Sequence, residues 1–208
     1  MVASDQSLVL VVDDDPLMRE AMQRLFRSVG MRVEVFGSTA QFLQSELADV
    51  PSCLVLDVRL PGLSGLDFQS ELVKAGIQIP IIFITGYGDI PMTVKAMKAG
   101  AIEFLAKPFR EQDMLDAVRL GLERDRARRI GEKAVAEVRS KFASLTARER
   151  EVMALVTAGL MNKQIAGEMK LAEITVKLHR GNVMRKMDAK SVADLVRMAD
   201  MIGVRGKS

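Results

Sequence analysis

Five side chains of complementary types sit at one kind of place in this sequence, the carboxyl end of a short apolar run. LVLVV (8–12) is followed by Asp13 and Asp14, CLVL by Asp57, PIIFI by Thr85, and AIEFLA (101–106) by Lys107. Three carboxylates brought together repel one another, so a positive charge must offset them. A hard divalent cation with oxygen ligands meets that need. Mg²⁺ binds through one or two carboxylates while keeping waters, and Mn²⁺ shares its ligand preference. Lys107 supplies a further point charge. A carboxylate held beside a cation and an ammonium is set up to attack phosphorus as a covalent nucleophile. Metal and lysine would neutralise the oxygens of the transferring phosphoryl group, and the Thr85 hydroxyl is of the right type to hydrogen-bond the product phosphate.

These five groups converge only if the runs that carry them are parallel neighbours. LVLVV, MRVEVF (31–36), CLVLD (53–57), PIIFIT (80–85) and AIEFLA are bounded apolar runs of strand length. Helix-length segments separate them, at about 16–29, 39–48, 65–75, 91–99 and from Glu111 onward. Strand and helix alternating five times predict an α/β fold, a doubly wound five-stranded parallel sheet covered on both faces. The runs at 8–12, 53–56 and 80–84 are nearly all apolar, as central strands are. Right-handed crossovers favour a flavodoxin-like order, 2-1-3-4-5, with ligands at the carboxyl ends of the strands. Asp15 then reads as a helix N-cap ahead of Pro16, and Pro61-Gly62 as loop formers.

Charge divides the chain. Residues 1–121 carry 11 Lys/Arg and 16 Asp/Glu, a net −5; residues 122–208 carry 19 and 11, a net +8. The basic part suits nucleic acid. Cys53 is the single cysteine, which excludes an internal disulfide and a multi-cysteine metal site and suits a buried strand position. No apolar run approaches the roughly 18 residues of a membrane helix. The start, MVASDQS, lacks the basic and apolar stretches of a secretory signal. No membrane partner and a cytoplasmic location are expected.

Residues 6–121 resemble response-regulator receiver domains. VVDDDP, LVLDVRLPGLSG, FITGYGD and KAMKAGAIEFLAKPF match that family's segments at the expected spacing. The resemblance implies that Asp57 is the phosphoacceptor. It implies that Asp13 and Asp14, with the backbone carbonyl of Arg59, complete a magnesium site. Thr85 and Lys107 fall on its phosphate-sensing positions, Phe104 on its aromatic switch, and the bond before Pro108 is cis in the family. Phe104 is also suited to plain packing, and the two roles are compatible. No GxxxxGK[ST] phosphate cradle is present, and the one histidine, His179, lies in the basic half. Direct transfer from ATP is therefore not expected, and the resemblance implies a separate phosphohistidine donor, a sensor histidine kinase.

From Glu111 a helical pattern continues to about Lys141, and its later part, LERDRARRIGEKAVAEVRSK, is charge-dense. It reads as the last receiver helix extending into an exposed linker. The expected organisation is a receiver over 1–121, a long helical linker over 122–141 and an all-α, four-helix domain over 142–208. Thr146 and Glu149 form a T-x-x-E capping box, and Gly159 closes that first helix. Asn162 reads as the cap of a second helix at 163–169. A third spans about 173–187, and Ser191 and Gly203 bound a fourth. In the third helix Ile174, Leu178, Val183 and Met187 can face inward while Lys177, Arg180, Arg185 and Lys186 stay available. Short helices with a basic third member describe a helix-turn-helix reader.

Residues 142–203 resemble the LuxR-type DNA-binding domain, through LTAREREVMALVTAGLMNKQIA and TVKLHRGNVMRKM. With the receiver, the layout is similar to FixJ- and NarL-type response regulators. The resemblance puts the helix around 173–187 in the major groove of double-stranded DNA. Lys177, Leu178 and Arg180 are the candidates for base edges; Asn162, Lys163, Thr175, Asn182 and Lys186 are the candidates for phosphates. Ala172 departs from the family's frequent serine cap. Gly181 sits inside the helix at a cost of roughly 1 kcal/mol against alanine.

The expected mechanism is phosphoryl transfer to Asp57 and a response by Thr85 and Phe104; the resemblance implies homodimerisation, engagement of paired half-sites and activation of transcription. Autodephosphorylation is compatible with this, but multiple-turnover catalysis is not expected. An aspartyl phosphatase would place a second acid two residues after its nucleophile, where this chain has Arg59. A constitutive, phosphate-independent DNA binder is the other alternative.

Overall fold

The computed structural model describes residues 7–86 and 90–204. Residues 87–89, the end of the FITGYGD segment, lie outside them, as do the first six residues and the last four. The chain divides into two compact units, Met1–Arg129 and Ile130–Ser208.

The first unit is built on five parallel strands: β1 (Leu8–Val12), β2 (Arg32–Phe36), β3 (Ser52–Asp57), β4 (Ile81–Thr85) and β5 (Glu103–Ala106), in the order β2-β1-β3-β4-β5. β1, β3 and β4 are buried along their whole length, while the edge strands β2 and β5 are half-exposed. Apolar residues that point alternately to the two faces feed two separate cores. One gathers Val9, Val11, Cys53, Val55, Ile82 and Ile84 with Met22, Phe26, Met114 and Val118; the other gathers Leu10, Leu54, Leu56 and Phe83 with Phe42, Phe68 and Leu72.

The covering helices start where their caps dictate. Asp15 accepts the Leu17 N–H at 2.9 Å and, with Pro16 at the first position, opens α1 (Pro16–Ser28). Ser38 opens α2 (Thr39–Gln44), which is shorter than the expected 39–48. Its end has a local cause: the Ser45 N–H and hydroxyl both donate to the Phe42 carbonyl, diverting the chain from the helix. Ser64 opens α3 (Gly65–Lys74), and α4 (Ile90–Lys98) follows β4.

α5 runs without a break from Glu111 to Ala143, and the division between the units falls within it. The charge-dense stretch is not uniformly exposed as expected: Leu122, Asp125 and Val138 are buried. Asp125 accepts the Ser52 N–H at the start of β3 (2.9 Å), Arg129 Nε (2.7 Å) and two Arg128 nitrogens (2.6 and 3.0 Å). Arg129 also pairs with Asp49. Burial alone would raise the Asp125 pKa, but the hydrogen bonds from Arg129, Ser52 and Arg128 outweigh it and hold the carboxyl below its ordinary value.

The second unit is helical: α6 (Ala147–Thr157), α7 (Asn162–Met169), α8 (Glu173–Met187) and α9 (Val192–Ile202) pack on Val138 and Leu145 from the end of α5 and the turn after it. The Thr146–Glu149 capping box, the Ser191 cap and the Gly203 terminus are as expected. Two local assignments need correction. Asn162 is the first residue of α7, not its cap; Met161 holds the cap position, and its N–H donates to Gln164 Oε1 at 2.8 Å. In α8 the inward residues are Val176, Val183 and Met187, while Ile174 (73% exposed) and Leu178 (65%) face outward. Both sets fit a helical period, and lie on opposite faces.

Candidate functional site

The sheet register creates the pocket. Val12 is level with Leu56 across β1 and β3, so Asp13 lies level with Asp57 at the strand tips. Asp57 is level with Ile84, which sets Thr85 one residue further on, and the Lys107 N–H donates to the Thr85 carbonyl at 2.7 Å. Asp13, Asp14, Asp57, Thr85 and Lys107 therefore meet at one edge from four strands. The Lys107–Pro108 peptide bond is cis.

Lys107 bridges two of the acids, with Nζ 2.6 Å from Asp57 Oδ2 and 2.8 Å from Asp13 Oδ2. Asp57 Oδ1 accepts the Arg59 N–H at 2.9 Å, and Asp13 Oδ1 accepts that of Asp15 at 2.9 Å. Asp13 and Thr85 are fully buried, Asp57 nearly so, and Asp14 is exposed. Burial pushes the Asp13 carboxyl above its ordinary pKa despite the opposing pull of Lys107. Burial acts to lower the Lys107 ammonium, but its hydrogen bonds to Asp13 and Asp57 prevail and raise it.

One oxygen from each of Asp13, Asp14 and Asp57 lies within 4.8 Å of the others. An all-oxygen set with one solvent-facing member suits a hard, partly hydrated divalent ion. Phe104 is half-buried beside Phe83, with ring centroids 6.3 Å apart.

Two parts of this pocket are absent from the sequence reading. Arg19, on the first turns of α1, donates to the carbonyls of Asp13 (2.7 Å) and Asp14 (2.9 Å) and so holds the acidic turn. Nothing in its local pattern singles it out from a surface arginine. Gly65 donates to the Val58 carbonyl at 2.9 Å, and a Cβ there would stand 2.4 Å from the Asp57 carbonyl oxygen. A glycine directly after the Ser64 cap, at the first helical position, was the available signal.

The candidate DNA-contact residues of the second unit fall into two groups. Lys163, Lys177 and Leu178 are exposed, and Thr175 is half-buried on the first turn of α8. The others are engaged within the domain. Arg180 Nη1 donates to Asn162 Oδ1 at 2.9 Å, joining α8 to the start of α7, and Asn182 Oδ1 accepts from Arg185 Nη2 at 3.2 Å. Lys186 Nζ lies 2.6 Å from Glu149 Oε2, the carboxylate of the α6 capping box. Hydrogen bonds from Lys186 and the Thr146 N–H hold Glu149 below its ordinary pKa.

Comparison with known proteins agrees with both halves. Residues 9–119 match the response regulator receiver domain, and residues 143–199 match the luxR family of bacterial regulatory proteins. The class so defined is a receiver joined to a LuxR-type helix-turn-helix domain. Nodulation protein W of Bradyrhizobium diazoefficiens is 60% identical over 202 residues, which cover 97% of this chain and 89% of that protein. Transcriptional regulatory protein FixJ of Azorhizobium caulinodans is 42% identical over 196 residues, 94% of this chain and 93% of that protein. The solved structure of response regulator StyR has 49% identity and a TM-score of 0.84, covering 94% of this chain and 98% of that one. Full-length FixJ from B. japonicum has 37% identity and a TM-score of 0.56, with 96% and 98% covered. The chain belongs to the two-component response regulators of the FixJ/NarL type, DNA-binding regulators of transcription. Among the described residues no helix is long and apolar enough to cross a membrane.

Proposed function

We propose that Asp57 accepts a phosphoryl group from the phosphohistidine of a partner sensor kinase, and that this switches the chain into a DNA-binding homodimer. The observation that carries the reading is the bridging of Asp57 and Asp13 by the Lys107 ammonium, beside a third carboxylate. In the transfer an Asp57 carboxylate oxygen forms the new bond to phosphorus. The phosphorus–nitrogen bond of the donor breaks, and its electron pair leaves with the imidazole. Asp13, Asp14, Asp57 and the Arg59 carbonyl would hold Mg²⁺ (or Mn²⁺), which supplies charge neutralisation for the phosphoryl oxygens.

Lys107 neutralises a further phosphoryl oxygen once the carboxylate it now contacts has become an acyl phosphate. The Thr85 hydroxyl donates to the acquired phosphate, and Phe104 repacks beside Phe83 in response. The face of α4, β5 and α5 then changes and pairs with a second copy. A dimer presents two copies of α8 to paired half-sites, and effective concentration adds their affinities. Lys177, Leu178 and Arg180 serve base edges; Asn162, Lys163, Thr175, Asn182 and Lys186 serve the phosphate backbone. The setting is the bacterial cytoplasm, the outcome is activation, and turnover is limited to self-dephosphorylation.

Acetyl phosphate with Mg²⁺ should label wild type with an acid-stable, alkali-labile phosphate and shift it towards a dimer with higher DNA affinity. Asp57→Asn should lose label, dimerisation and the affinity gain together. Equal DNA binding by wild type and D57N, with or without phosphate donor, would make the chain a constitutive binder. Multiple-turnover hydrolysis of a small phosphate ester would make it a phosphatase.

A further inference from the structure

The exposed face of α8 carries chemistry that the basic residues do not explain. Ile174 and Leu178 are four residues apart, 73% and 65% exposed, and share a face with Gly181 one turn on. A Cβ at Gly181 would meet nothing within 4 Å. The stripe is therefore apolar at the amino end of the helix and bare in the middle. Exposed Lys177 flanks it, and Arg185 continues the same face. Val176, Val183 and Met187 on the opposite face already satisfy the core.

In a helix-turn-helix reader the first residues of the second helix meet base edges. Ile174 is the second residue of α8. The apolar group that a base pair offers in the major groove is the C5-methyl of thymine. Flanking cations make an acidic groove the fitting occupant of this stripe, and the missing side chain at Gly181 lets the backbone come close to it.

We infer that Ile174 and Leu178 form a thymine-methyl clamp in each half-site, seated by Gly181. The inference rests on the DNA-binding reading above and adds the base that the helix selects. Ile174, apolar yet 73% exposed, gains a specificity role in place of a core one. Exposed Lys177, on one flank of the stripe, would then fix a polar edge beside it, and the methyl contacts would set the register of α8 along the groove.

Random double-stranded DNA selected with the phosphorylated full-length chain supplies the probe duplex. Deoxyuridine then replaces thymine one position at a time, which removes only the methyl group. Wild type should lose about fourfold in affinity per contacted methyl. In Ile174→Ala or Leu178→Ala the same replacement should have no further effect at the position that side chain touches. Both residues are exposed, so folding is retained, as circular dichroism would verify. Indifference of wild type to deoxyuridine at every position overturns the clamp. So does a methyl effect that persists undiminished in both variants, or a loss of self-association in I174A with unchanged DNA binding. Selection of no duplex at all overturns the DNA-binding reading itself, a result distinguishable from the others.

Discussion

Removing the Asp125 carboxylate tests whether the start of α5's charge-dense stretch is structural or merely solvated. Asp125 is fully buried and receives the Ser52 N–H, Arg128 and Arg129. In Asp125→Ala the Ser52 N–H loses its acceptor at a buried site, which costs about 1–3 kcal/mol. Arg128 and Arg129 lose their partner too, but their side chains are 27% and 21% exposed and can rehydrate. That brings the expected loss to about 2–4 kcal/mol, below the figure for orphaning a fully buried cation. Asp125→Asn keeps an acceptor for Ser52 and loses only the ionic part, about 1–2 kcal/mol.

Amide hydrogen exchange in β1 and β3, followed by mass spectrometry, reads the opening of this sheet separately from the helical unit. The pH dependence has a definite sign. The folded pKa of Asp125 lies below its ordinary 3.8, so its stabilisation is complete above 3.8 and is lost as pH falls through the lower, folded value. The gap between wild type and D125N should thus be constant at neutral pH and close on strong acidification. A D125A loss under about 0.5 kcal/mol, within the range of ordinary surface changes, would refute the buried-anchor argument.

Three further outcomes follow from specific contacts. A Cβ at Gly121 would stand 2.5 Å from the buried Cys53 Sγ, so Gly121→Ala should cost about 1–3 kcal/mol in urea titration, and a second change, Cys53→Ala, should recover much of it. Asp13→Asn removes a buried charge whose pKa is raised, so the metal-free chain should gain on the order of 1 kcal/mol in thermal unfolding; the gain of about 2.7 kcal/mol that Mg²⁺ at 100 times its Kd gives the wild type should shrink sharply. Gly181→Ala meets open space within α8 and should raise the stability of the helical unit by about 1 kcal/mol by calorimetry, while weakening DNA binding in a gel-shift titration.

The pocket was legible in the sequence because a parallel sheet converts order along the chain into position. Once LVLVV, CLVLD, PIIFIT and AIEFLA are strands, whatever follows each of them must lie at one edge. The same logic fails for α8. Ile174 and Leu178 form one apolar stripe, and Val176, Val183 and Met187 form another on the opposite face. Periodicity cannot rank two stripes. The choice belongs to the neighbours, since Val152 of α6 and Ile165 of α7 share a core with Val176 and Val183.

Asp125 was hidden for a related reason. A charge-dense helix reads as solvated until its partner is known, and the Ser52 N–H lies 73 residues away. That partner gives the anchor its meaning. β3 begins at Ser52, held by Asp125, and ends at Asp57, held by Lys107, so one strand is tied at both tips by charged groups. A phosphoryl group on Asp57 would move the Lys107 tie from the carboxylate to a phosphoryl oxygen and leave the Asp125 tie in place. Change on phosphorylation is then expected at the β4 and β5 tips, around Thr85 and Phe104, with the foot of β3 as the fixed point. Exchange data showing β3 loosening first at Ser52 would contradict that order.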